Sequence, residues 1–156
     1  MVGGKSHDSG DSPYDILLVE DNPGDVRLLQ EAMRDTQIES TIHVVTDGAA
    51  ALEFVHQEED YEVVPSPDLM LLDLNLPQTD GIDVLCELDE CGLTYMPVIV
   101  LSSSSADEDI RQAYECGANA YLSKPLDPTE FVRLVQSITQ FWFSSAQLPS
   151  LESSGD

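Results

Sequence analysis

The chain alternates between short apolar runs and longer segments whose apolar positions recur every three or four residues. Ile16–Val19, Thr41–Val45, Leu69–Leu72, Pro97–Leu101 and Ala120–Ser123 make up the first set. Short runs of this kind are expected of strands covered on both faces. Each is followed by a segment of helical period. The first runs from Asp25 to about Thr36, with Val26, Leu29 and Met33 on one face, and the second from Ala49 to about His56. The third covers Ile82 to about Cys91, the fourth Ala106 to Cys116, and the fifth opens at Asp127 with Phe131, Leu134, Val135, Ile138, Phe141 and Trp142 as its apolar stripe. Asp127 suits an N-cap, with Pro128 at the first helical position and Glu130 completing a capping box. Leu126 and Phe131 are placed to form a hydrophobic staple around it. Five strand–helix units in alternation predict an α/β domain. Its sheet is parallel, its crossovers right-handed, and its helices lie on both faces.

Outside these elements the chain is polar. Residues 1–13 are rich in Gly, Ser and Asp, and residues 144–156 in Ser, Pro and Gly. Both are expected to be disordered tails, leaving residues 14–143 as one domain. No apolar run approaches the roughly 20 residues of a membrane span, and the N-terminus lacks the apolar core of a secretory signal. A soluble, cytoplasmic protein is expected.

Charge changes the picture. Thirty acids face six Lys plus Arg, for a formal net charge of −24. Such a surface repels nucleic acid and anionic membrane, and it also repels itself. The acids are spread along the chain rather than gathered in a tail. That pattern suits a halophile, whose salt-rich cytoplasm screens the repulsion. The three cysteines, Cys86, Cys91 and Cys116, form no CxxC pair and no cluster with histidine. They are expected to be reduced, partly buried thiols. His43 and His56 read as half-exposed residues of their elements, without a nucleophile placed to make a triad.

The chemistry gathers where the strands end. Ligands of open parallel sheets bind outside the carboxyl ends of the strands. There the first strand delivers Glu20-Asp21, the third Asp73, the fourth Ser102 and the fifth Lys124. Taken alone, Asp73 could be a solvated turn residue. Three carboxylates on one rim repel one another unless a hard cation joins them, and Mg²⁺ accepts such oxygen ligands. A metal, an ammonium, a hydroxyl donor and a carboxylate free to attack are the parts of phosphoryl transfer, with Asp73 as nucleophile.

These residues resemble the receiver domain of two-component response regulators. The likeness rests on Glu20-Asp21, on Asp73 followed by Leu-Asn-Leu-Pro and Asp80-Gly81, on Ser102 after an apolar strand, and on Lys124-Pro125. Asp73 lies 52 residues after Asp21, Ser102 29 further on and Lys124 22 beyond that. The resemblance implies a flavodoxin-like (βα)5 three-layer sandwich with sheet order 2-1-3-4-5. It implies phosphorylation of Asp73 by a sensor histidine kinase or phosphotransfer protein. It further implies that Glu20, Asp21, Asp73 and the Asn75 carbonyl hold Mg²⁺, with Mn²⁺ as a substitute. Ser102 and Tyr121 fall at the switch pair, which would remodel the face formed by the fourth helix, fifth strand and fifth helix. That face is also the expected surface of a homodimer. The Lys124–Pro125 bond is expected to be cis. The Asn-Pro-Gly-Asp loop after the acid pair and the acidic loop before the third strand are similar to single-domain regulators paired with cyanobacterial phytochromes.

Two other classes compete with a phosphorylation switch. A Mg²⁺-dependent phosphohydrolase of the haloacid-dehalogenase type needs a second carboxylate two residues after its nucleophile, and Asn75 cannot act as that acid. A pseudo-receiver, an interaction module without phosphorylation, would have no need of the intact acids, Ser102 and Lys124. The expected protein is therefore not a stand-alone enzyme. It catalyses its own aspartyl phosphorylation and autodephosphorylation, and signals through the receiver surface or by onward phosphotransfer. Phe141-Trp142-Phe143 is open to two readings, core packing or an exposed partner surface.

Overall fold

A computed structural model of the chain describes residues 14–36, 38–57, 66–92 and 96–145. The expectations for residues 1–13 and for 146–156 lie outside the described residues, as does most of the acidic loop before the third strand. Five strands and five helices alternate. They are β1 (Tyr14–Val19), α1 (Pro23–Arg34), β2 (Ser40–Val45), α2 (Gly48–His56), β3 (Leu69–Leu72), α3 (Gly81–Glu90), β4 (Val98–Ser102), α4 (Asp107–Glu115), β5 (Ala120–Ser123) and α5 (Pro128–Gln140). All strand pairs are parallel, and the order is β2-β1-β3-β4-β5. The flavodoxin-like three-layer sandwich is thus the observed fold.

Strand pleat splits the core in two. Leu17, Val19, Met70, Leu72, Val98 and Val100 point to one face, where Ala51, Val84, Leu85 and Ala113 of α2, α3 and α4 cover them. Ile16, Leu18, Leu69, Leu71, Ile99 and Leu101 point to the other, under Leu29, Phe131 and Val135 of α1 and α5. Successive side chains leave opposite faces of a strand. A strand buried on both sides therefore has no polar alternation, which is why β3 reads Leu-Met-Leu-Leu with every residue buried.

Local chemistry sets the helix starts. Asn22 caps α1, accepting from the amides of Gly24 and Asp25, with Pro23 at the first helical position. Helix α1 thus begins two residues before the expected Asp25, because proline at that position has no amide to lose and a preset φ. Asp47, Asp80 and Asp127 cap α2, α3 and α5 in the same way. Gly117, at φ 99°, turns the chain out of α4 toward β5.

Three expectations are corrected. Cys86 of α3 and Cys116 at the end of α4 form a disulfide, and only Cys91 of the three cysteines is free. Neighbouring helices on one face bring together residues 30 apart, a pairing that spacing alone does not reveal. The hydrophobic staple does not form. Phe131 is buried, but Leu126 is 98% exposed and stands on the wall of the rim pocket. Among the described residues no peptide bond is cis, so Lys124–Pro125 is trans, the isomer of lower free energy for most X–Pro bonds.

Beyond α5 the chain makes a π-helical turn, Phe141–Ser145. Trp142 and Phe143 pack against the α1/α5 side of the core, and Phe143 stacks on Tyr14 with ring centroids 4.1 Å apart. Phe141 is half exposed. The aromatic cluster is therefore divided between core and surface. His43 is half buried on β2, with Nε2 2.9 Å from Asp15 Oδ1 at the end of the sheet opposite the acids. Among the described residues no helix is long and apolar enough to cross a membrane.

Candidate functional site

Parallel register delivers the expected residues to one rim. Glu20 and Asp21 follow β1, and the Glu20 amide is tied to the Val45 carbonyl of β2. Asp73 follows β3, with its amide donating 3.0 Å to the Val19 carbonyl of β1. The Lys124 amide donates 2.9 Å to the Ser102 carbonyl, which places the lysine at the end of β5. These backbone bonds fix where each side chain starts, so the cluster follows from the sheet and not from loop placement. Glu20 and Asp73 are buried, and Asp21 is exposed.

Lys124 holds the centre. Its Nζ lies 2.7 Å from Glu20 Oε1, 2.8 Å from Asp25 Oδ2 and 3.1 Å from Asp73 Oδ2. The second oxygen of Asp73 accepts the Asn75 amide at 3.1 Å, and that of Glu20 the Asn22 amide at 3.2 Å. Burial raises Glu20 to about 7; the Lys124 hydrogen bond opposes this and the Asp73 charge adds to it. Burial pulls the Lys124 ammonium downward, but hydrogen bonds to Asp25 and Glu20 and the charges of Glu20 and Asp73 outweigh it. The ammonium is held above its usual range.

The loop after Asp73 is closed by a glycine. The Gly81 amide donates to the Leu74 carbonyl, and a Cβ on Gly81 would come within 2.6 Å of Leu74 Cα and 2.7 Å of the Asp73 carbonyl oxygen. No side chain fits there without moving the backbone that carries Asp73.

An open pocket of about 620 Å³ lies over the rim, lined by Asp21, Asp25, Asp73, Asn75 and Lys124 among others. One carboxylate oxygen from each of Glu20, Asp21 and Asp73 lies within 4.8 Å of the others. An all-oxygen donor set of this kind fits a hard divalent cation. Of the expected residues, Glu20, Asp21, Asp73, Asn75 and Lys124 come together here. Ser102 does not face the pocket. It is fully buried, and its Oγ accepts the Ser104 amide at 3.0 Å, while Ser103 lines the wall. Tyr121 is half buried, and its hydroxyl donates 2.9 Å to the Ser104 carbonyl. Asp25 was not expected in the site. An acid in the first turn of a helix is accounted for by the helix dipole, and periodicity alone does not aim it at Lys124.

A doubly wound sheet of this order, with clustered acids and a lysine at its carboxyl rim, defines a receiver-type signalling domain. Residues 16–136 match the response regulator receiver domain family, and the chain belongs to it. Response regulator Rcp1 of Synechocystis sp. is 40% identical over 144 residues, covering 92% of this chain and 98% of Rcp1. The structure of the phosphorylated cyanobacterial phytochrome response regulator RcpA superposes with a TM-score of 0.85 at 40% identity, covering 89% of this chain and 100% of RcpA. The Mn²⁺-bound form of Rcp1 superposes with a TM-score of 0.83 at 40% identity, over 88% of this chain and 100% of its own.

Proposed function

We propose that this chain is a phospho-accepting response regulator and that Asp73 is the acceptor. The observation that carries the reading is the placement of Lys124 Nζ 3.1 Å from Asp73 Oδ2, with Glu20 and Asp21 carboxylate oxygens within 4.8 Å. An Asp73 oxygen attacks phosphorus, and the bond from phosphorus to the donor nitrogen or oxygen breaks. The electron pair leaves with the donor, and Asp73 becomes an acyl phosphate. Its negative charge moves outward onto the phosphoryl oxygens, toward which Lys124 can turn. Ser102, whose Oγ accepts the Ser104 amide in the resting chain, would offer its hydroxyl to the same group. Mg²⁺ (or Mn²⁺), held by Glu20, Asp21, Asp73 and the Asn75 carbonyl, would supply positive charge to those oxygens.

The donor is a sensor histidine kinase or a phosphotransfer protein, and the receiver unit runs over residues 14–143. Phosphorylation is read out through Ser102 and Tyr121 on the α4–β5–α5 face, which is also the surface for a homodimer. The setting is a cytoplasm, and the net charge of −24 fits one of high salt. The relatives support the reading in kind, since RcpA is described in its phosphorylated form and Rcp1 with Mn²⁺.

The test is incubation with Mg²⁺ and acetyl phosphate, followed by intact-mass analysis. One phosphate adduct is expected on the wild type, none without Mg²⁺ and none on Asp73→Asn. An adduct of equal yield on Asp73→Asn would overturn the assignment.

A further inference from the structure

Two cations need the same acids. The oxygens placed for a divalent ion come from Glu20, Asp21 and Asp73. Those bonded to Lys124 come from Glu20, Asp25 and Asp73. Glu20 and Asp73 belong to both sets. Asp21 belongs only to the first and Asp25 only to the second. Like charges a few ångströms apart repel by several kcal/mol at the effective dielectric of a protein rim. A divalent ion on Glu20 and Asp73 therefore weakens the hold of both on the ammonium.

We infer that Asp25 is a positioning residue that retains Lys124 when Glu20 and Asp73 are engaged by the cation, so that metal and ammonium occupy the rim together. This rests on the proposed phosphoacceptor reading and deepens it. Asp25 suits the role because its backbone is fixed. It lies in the first turn of α1, where its amide donates 3.2 Å to the capping Asn22 Oδ1. Its side chain is 23% exposed and lines the pocket, and its 2.8 Å bond to Lys124 is shorter than the 3.1 Å bond from Asp73. Without Asp25 the ammonium has only Glu20 and Asp73 left, and a metal ion must displace it from both.

The test is Mg²⁺ titration of the metal-free full chain by calorimetry, in a double-mutant cycle. Asp25→Asn should weaken Mg²⁺ binding on the order of tenfold, as loss of a residue supporting a metal site does. Asp25→Glu should restore most of the affinity. In a Lys124→Gln background most of the loss from Asp25→Asn should vanish, because the ammonium it anchors is gone. Equal losses in the two backgrounds would mean that Asp25 acts on the cation directly, which overturns the inference. So would unchanged binding by Asp25→Asn. A wild type that binds no Mg²⁺ overturns the phosphoacceptor reading itself, and this inference with it.

Discussion

Tyr121 and Ser102 grip the same residue from two sides. The Tyr121 hydroxyl donates to the Ser104 carbonyl at 2.9 Å, and the Ser104 amide donates to Ser102 Oγ at 3.0 Å. The hydroxyl that would turn to a phosphoryl group is thus the one holding the loop to which the ring is bonded. The Ser104 amide should shift in ¹H–¹⁵N spectra when acetyl phosphate and Mg²⁺ are added. It should stay in place in Ser102→Ala. A Ser104 amide that ignores phosphorylation in the wild type would disconnect the pair.

Glu20 sets a pH dependence. Its folded value of about 7 lies above the ordinary 4.5, chiefly through burial. The folded state therefore keeps a proton that the unfolded chain releases between those values. This group's contribution to the stability of the metal-free protein is greatest below about 4.5 and falls as pH rises to about 7. A cation needs the ionised form, so Mg²⁺ binding should strengthen as pH rises toward 7, by up to about tenfold per unit, and level off above it. Calorimetry across that range checks this, and a flat affinity would remove Glu20 from the ligand set.

Gly81→Ala should disturb the site without touching a charged group. The new Cβ meets backbone at Leu74 and at the Asp73 carbonyl, where nothing flexible can yield. A loss of about 1–3 kcal/mol in urea unfolding is expected from overpacking. Slower phosphorylation by acetyl phosphate should accompany it. Wild-type rates with wild-type stability would show that the loop tolerates what the contact forbids.

The Cys86–Cys116 bond closes a loop of 30 residues between α3 and α4. A loop of that length contributes roughly 3–4 kcal/mol in the chain-entropy account. Without reductant, thiol titration of the denatured protein should find one reactive group, Cys91, and with reductant all three cysteines. Cys86→Ser should unfold at lower temperature. Three free thiols without reductant would rule the bond out.

Thermal unfolding in dilute buffer and in molar KCl tests the reading of the charge. A chain at −24 should melt higher in salt, as screening relieves repulsion between surface acids. Equal or higher stability in dilute buffer would leave the acidity without a part in stability.

Sequence and structure agree where one physical rule decides the outcome. Strands β1, β3 and β4 are legible because burial on both faces removes polar alternation. The site is legible because a parallel sheet of this kind places every strand end on one rim. Glu20, Asp73 and Lys124 share one rim by that rule alone. What escaped depends on side-chain direction or on contacts between helices. Asp25 enters the sequence reading only as the start of the first helical segment. Spacing pairs Leu126 with Phe131, yet Phe131 finds its cover on the α1/α5 side of the core. The disulfide joins helices that no local pattern relates. Ser102 stands at a strand end that the rule places on the rim, but its Oγ accepts the Ser104 amide instead.

Asp47, Asp80 and Asp127 each begin a helix by accepting backbone amides. An asparagine oxygen accepts the same bond nearly as well. These three acids therefore serve two ends that can be separated. With asparagine at all three, the helix starts remain while three negative charges disappear. Architecture does not require the acidity at these points. It is a choice of solvent partner laid over positions whose geometry asks only for an oxygen.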